Sequence, residues 1–143
     1  MSATGGLASS SRLSLPERAA LAWEIVAAYA LARRRLRRDG LRPALAALRT
    51  GGGSSVADRR EAIEVGRRLG RAVGRTLGVL PADSRCLMTS LVLTRLLARR
   101  GIDSELVISV LPGEAFAAHA WVERDGVALL PPDAPEWARL TTL

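Results

Sequence analysis

Arg85-Cys-Leu-Met-Thr-Ser-Leu-Val-Leu-Thr-Arg-Leu-Leu-Ala-Arg-Arg100, followed by Gly101 and then Glu105-Leu-Val-Ile-Ser-Val-Leu111, is the stretch in which the chain changes period, and that change decides the fold. In the first part Leu87, Leu91 and Thr94, with Val92, Leu93, Leu96 and Leu97, cover most of a helical circumference, which marks a buried central helix over about Arg85 to Arg100. Asp83 or Ser84 caps its start, Gly101 suits its end, and Cys86 falls in its first turn. From Ser104 the alternation is two. Glu105–Leu111 is a strand, Pro112-Gly113 a turn, and residues 115–124 a second strand; Asp125-Gly126 is a tight hairpin turn, and residues 127–130 form a third strand. Pro131 and Pro132 then stop regular pairing.

Working back toward the amino terminus, every segment reads as helix or connector. Ser14 opens a first helix, with Glu17 three residues on as a capping-box partner and Pro16 in the first turn. Leu21, Ile25, Ala28, Ala32 and Leu36 mark its inner face, and Asp39-Gly40 ends it. The arginines between Arg33 and Arg38 suit the negative end of the helix dipole, and a solvated helix end accounts for them better than a binding patch. A short helix over Pro43 to Arg49 leads into the connector Thr50 to Ser55, and a longer helix runs from Ala57 to Val79. In that helix Val65, Leu69, Val73 and Leu77 recur beside Gly66, Gly70, Gly74 and Gly78. Each internal glycine costs about 1 kcal/mol against alanine. The stripe therefore predicts a groove in which another helix packs close to the backbone. Helices followed by a small antiparallel sheet make an α+β fold. The 143 residues are expected to form one domain, with 1–13 disordered, 14–56 as accessory helices and 57–143 as the core.

Composition narrows the classes of function. One cysteine excludes an internal disulfide, and the first residues lack the pattern of a secretory signal, so a cytoplasmic protein is expected. No apolar stretch reaches the ~20 residues of a spanning helix. The net charge of +7 is carried by arginine without any lysine: residues 1–80 hold 15 Arg against 6 acids, whereas 81–143 hold 6 against 8. Arginine usage of this kind also follows from a GC-rich genome, so nucleic acid is not an expected partner. One Cys and one His without clustered carboxylates do not make a metal site, and no phosphate-cradling glycine loop is present; no cofactor is expected.

The sole cysteine and the sole histidine carry the chemistry. Cys86 at a helix start lies where the positive end of the dipole, and Arg85 beside it, favour a thiolate. Alone, it reads more readily as a small buried apolar residue. His119 changes that balance, because it stands 33 residues later in an alternating strand, on one face with Ala117, Trp121 and Glu123. A thiol on a helix and an imidazole on a following strand form the pairing that activates a sulfur nucleophile. Trp121 is expected to wall the site. Glu123 lies about 13 Å along the strand from His119 and cannot orient it directly. A two-residue hairpin turn sets His119 opposite Pro132, which makes Asp133 the candidate third member. The Cys86 backbone N–H is the candidate oxyanion donor, with the second donor unassigned.

Three pieces, Cys86 through Ile102, Glu105 through Val110 and Ala118-His-Ala-Trp-Val-Glu-Arg-Asp-Gly126, together resemble the stand-alone leader peptidase of lasso-peptide biosynthesis clusters, a transglutaminase-like cysteine protease. The resemblance covers Leu69 to Leu130 well and the earlier helices more loosely. It implies a transglutaminase/papain-like core and removal of the leader from a ribosomally made precursor, with Cys86 as nucleophile and His119 as base. The family's acid normally falls near Pro131 and Pro132, so Asp133 is a shifted substitute. The resemblance also implies three partners: the lasso precursor peptide, a separate leader-binding protein (the RiPP recognition element), and an ATP-dependent macrolactam cyclase acting next. Two other readings use the same residues: an acyl transferase of transglutaminase type, and a non-catalytic module binding through its arginine-rich helices.

Overall fold

Ser14 does begin the first helix, and both halves of the capping box form. The Ser14 backbone N–H donates to Glu17 Oε2 at 2.7 Å, and the Glu17 N–H donates to Ser14 Oγ at 3.4 Å. The structure, a computed structural model, describes residues 12–50, 52, 58–79, 82–111, 117–129 and 138–143. Helix α1 spans Leu15–Asp39 and buries Ile25, Ala28 and Ala32, with Leu21 and Leu36 half-buried on the same row. Gly40 turns the chain at φ +79°, and α2 follows over Leu41–Leu48. It begins two residues ahead of Pro43, because a proline in the first turn lacks only an N–H that has no partner there. Asp58 caps α3, Arg59–Leu77, by accepting from the Arg60 N–H at 3.0 Å.

Helix α4, Ala82–Arg99, lies at the centre against α1, α2, α3 and the sheet. Leu91, Val92, Leu93, Leu96 and Leu97 are fully buried, as an apolar circumference requires. Its buried hydroxyls turn back onto the helix: Ser90 Oγ donates to the Cys86 carbonyl at 2.7 Å, and Thr94 Oγ to the Ser90 carbonyl at 2.9 Å. Gly101, at φ +70°, closes the helix, with Ile102 N–H on the Leu97 carbonyl and Gly101 N–H on the Ala98 carbonyl, both at 3.0 Å. That pair of bonds is the Schellman arrangement, and its apolar members, Leu97 and Ile102, share one buried cluster.

The sheet holds four antiparallel strands where three are expected. Strands β1 (Glu105–Leu111), β2 (Ala117–Arg124), β3 (Val127–Ala128) and β4 (Ala138–Thr142) lie in the order β3-β2-β1-β4. Strand β4 is the correction: after the prolines the chain returns along the outer side of β1, with a register irregularity between Ile108 and Ser109. Leu106 and Leu143 exchange backbone hydrogen bonds at 2.7 Å in both directions beyond it. Asp125 and Gly126, at φ +49° and +78°, form the tight turn their sequence predicts, and it pairs Arg124 with Val127 and Glu123 with Ala128. Strand β3 is only two residues long, so the bonding of β2 to it ends near Val122, whose carbonyl accepts from the Leu129 N–H at 2.8 Å.

One face of the sheet supplies Leu106, Ala120, Val122 and the following Leu129 to the clusters shared with the helices. The opposite face carries Val107, Ser109, Trp121 and Glu123, which are buried without belonging to either cluster. Two glycines of the α3 stripe differ in their surroundings. A Cβ at Gly66 meets the Leu129 side chain at 2.7 Å, whereas a Cβ at Gly74 has nothing within 4 Å. The close approach at Gly66 is thus to a leucine that follows the sheet, and Gly70 between the two is buried.

Candidate active site

Helix α4 starts at Ala82, three residues earlier than expected, so Cys86 sits one turn inside it. Its N–H therefore points along the i to i−4 ladder at the Ala82 carbonyl. The Cys86 side chain is half-buried and packs on the cluster formed by Ala32, Leu45, Leu48, Met88, Leu106 and Ala120. Ala120 is the residue after His119. The sulfur thus packs on the helix-facing side of the sheet, the side that carries Leu106 and Ala120.

His119 is half-buried on β2, in register with Ser109 of β1. Strand alternation sends its imidazole to the side opposite Ala120, and Trp121 on that side stacks against it, with ring centroids 6.0 Å apart and planes inclined by 27°. The thiol and the imidazole thus belong to adjacent elements, the thiol on the helix-facing side of the sheet and the imidazole on the opposite side with Trp121. Asp133, the expected orienting acid, lies outside the described residues, as do Pro131 and Pro132. Trp121 is 5% exposed.

Two residues of this face have surroundings that the sequence did not reveal. Glu123, 5% exposed, accepts a hydrogen bond from Trp121 Nε1–H at 2.8 Å, so it holds the indole that stacks on His119. The signal was present: an aromatic N–H and an acid two residues apart in a strand share one face. Ser109, directly across from His119, is fully buried, and its hydroxyl has no hydrogen-bond partner. A serine between Ile108 and Val110 in an otherwise apolar strand is the clue to it. The arginines from Arg33 to Arg38 are exposed, with Arg35 reaching Asp39 at 3.5 Å, as a solvated helix end would be. Among the described residues no group of three His, Cys, Asp or Glu side chains could hold a metal ion, and no helix is long and apolar enough to cross a membrane.

A thiol on the central helix, an imidazole on the adjoining strand and a buried aromatic beside that imidazole are the parts from which sulfur nucleophiles are built. No curated protein and no solved structure matches the chain. A family model described as the transglutaminase-like superfamily matches residues 25–143, the span running from the first buried isoleucine of α1 through the whole sheet. With most of its length matched, and with the helix-then-sheet order that carries its Cys and His, the chain belongs to the transglutaminase-like superfamily.

Proposed function

We propose that this protein is a cysteine peptidase that removes the leader from a ribosomally synthesised lasso-peptide precursor. The observation that carries the reading is the match of residues 25–143 to the transglutaminase-like superfamily, in a chain whose one cysteine lies on the central helix and whose one histidine lies on the adjoining strand. In the proposed reaction the Cys86 sulfur attacks the carbonyl carbon at the leader–core junction, and His119 takes up the thiol proton and returns it to the departing amine. Water then adds to the thioester, releasing the leader's new carboxylate and the free thiol. Asp133 is the proposed orienting acid. A separate leader-binding protein would present the precursor, the ATP-dependent cyclase would use the freed amine, and the reducing cytoplasm would keep Cys86 a thiol.

The test combines the protein with a precursor and a leader-binding partner and follows the products by mass spectrometry. Cys86→Ala and His119→Ala should each lower cleavage by roughly 10⁴-fold or more, with unchanged far-ultraviolet circular dichroism. Cleavage that survives both substitutions would end the peptidase reading. Membership of the superfamily also favours acyl transfer from the same thioester; an added primary amine that appears in the product in place of water would identify that activity.

A further inference from the structure

On the side of the helical layer formed by α1 and α3, the two helices leave a groove of about 380 Å³ between them. Arg18, Leu21 and Ile25 line it from α1, and Arg68, Ala72 and Arg75 from α3, each set at spacings of three and four that share one helix face. Arg12 and Leu13 close one end. An adjoining hollow of about 420 Å³ shares Leu13, Leu21, Arg68, Ala72 and Arg75, so the two form one channel ending at the Glu24–Arg100 pair.

The charge of the first part of this groove is one-sided, whereas Glu17 and Glu24 line the adjoining hollow. Among the described residues four arginines and no carboxylate line that first part, and the ion pairs involve other arginines. The floor between the arginines is apolar, with Leu13 38% exposed. Cations on both rims and an apolar floor complement a helix with acidic side chains beside an apolar stripe. A single-stranded nucleic acid would instead need aromatic platforms, and among the described residues no aromatic side chain lines the groove.

We propose that the α1–α3 groove docks an acidic amphipathic helix of a partner protein or peptide. The groove contains neither Cys86 nor His119, so this inference stands or falls apart from the peptidase reading. The test uses the whole chain and a fluorescently labelled synthetic helix of about four turns, with leucines at three-and-four spacing flanked by glutamates. Fluorescence anisotropy should show saturable, salt-weakened binding. The same helix with lysines for glutamates should not bind, and an oligothymidylate should not displace the acidic one. Arg68→Glu with Arg75→Glu should weaken binding at least about tenfold, or 1.4 kcal/mol, whereas Arg37→Glu with Arg38→Glu at the far end of α1 should leave it unchanged. If circular dichroism shows the glutamate pair misfolded, Arg68→Gln with Arg75→Gln serves instead and should weaken binding at least about threefold, or 0.65 kcal/mol. Failure of the acidic helix to bind, equal binding of the lysine helix, displacement by the oligothymidylate, or full affinity in the folded groove variant would each overturn the proposal.

Discussion

Ser109 and His119 face each other across β1 and β2, and the serine hydroxyl is buried without a partner. Such a group forfeits its hydration and gains nothing in return, at a cost of about 1–3 kcal/mol. Ser109→Ala should therefore stabilise the fold by about 1 kcal/mol, measured by urea denaturation. A loss of stability would mean that the hydroxyl is satisfied in solution. Cys86 and His119 were legible because each is the only one of its kind and each sits in an element with a clear period. Glu123 was legible only in part, since spacing along the strand rules out contact with His119 but does not reveal that an indole N–H lies between them. At the other end of the molecule, the Ser14 backbone N–H on Glu17, followed by the Ser14 side chain, holds the Glu17 carboxyl below its ordinary range. A depressed acid contributes stability above its unfolded value and loses it as pH falls through the folded one. The first turn of α1 should accordingly keep its amide protection in mildly acidic solution and lose it only in more acidic solution, as read by amide exchange.

Helix α3 tests what its glycines do. Gly74 faces open space, so Gly74→Ala should gain about 1 kcal/mol from helix propensity alone. Gly66→Ala adds its methyl against Leu129, a buried side chain with little room to yield, and should forfeit that gain. Thermal melts of the two variants should thus differ in direction, and equal melting temperatures would show that Leu129 moves aside freely. The stripe itself was plain in the sequence, but its partner was not, because periodicity identifies a face without identifying what covers it. The same limit applies elsewhere. Helix ends fell within about two residues where a cap was named, as at Ser14 and Gly101, and drifted at α4, where Asp83 and Ser84 were read as caps of a helix that starts at Ala82. Strand β4 was missed because Ala138–Thr142 is short and follows two prolines, and its place depends on an unpaired edge of β1 that no local pattern encodes.

Across the whole molecule, the arginines divide into two populations that net charge cannot separate. Arg95 of α4 donates to the carbonyls of Leu48 and Thr50 at 3.3 and 2.7 Å, and Arg49 donates to those of Ser104 and Leu143 at 2.9 and 2.8 Å. One guanidinium thus joins the central helix to the end of α2, and the other joins that end to the sheet. Both Arg49 bonds leave one terminal nitrogen, Nη2, which the planar guanidinium holds in place, and a lysine ammonium on its flexible stem is less pre-organised for that position. Arg49→Lys should therefore cost about 1 kcal/mol in chemical denaturation, whereas Arg37→Lys on the exposed end of α1 should change nothing measurable. The burial of α4 has a kinetic corollary. Its amides from Leu91 to Leu97 lie under three other helices and a sheet, so their deuterium uptake should require opening of the entire molecule. Cys86, the proposed nucleophile, rides on the same helix just ahead of that segment. If the proposed activity is present, heat should therefore extinguish it together with cooperative structure in a single step.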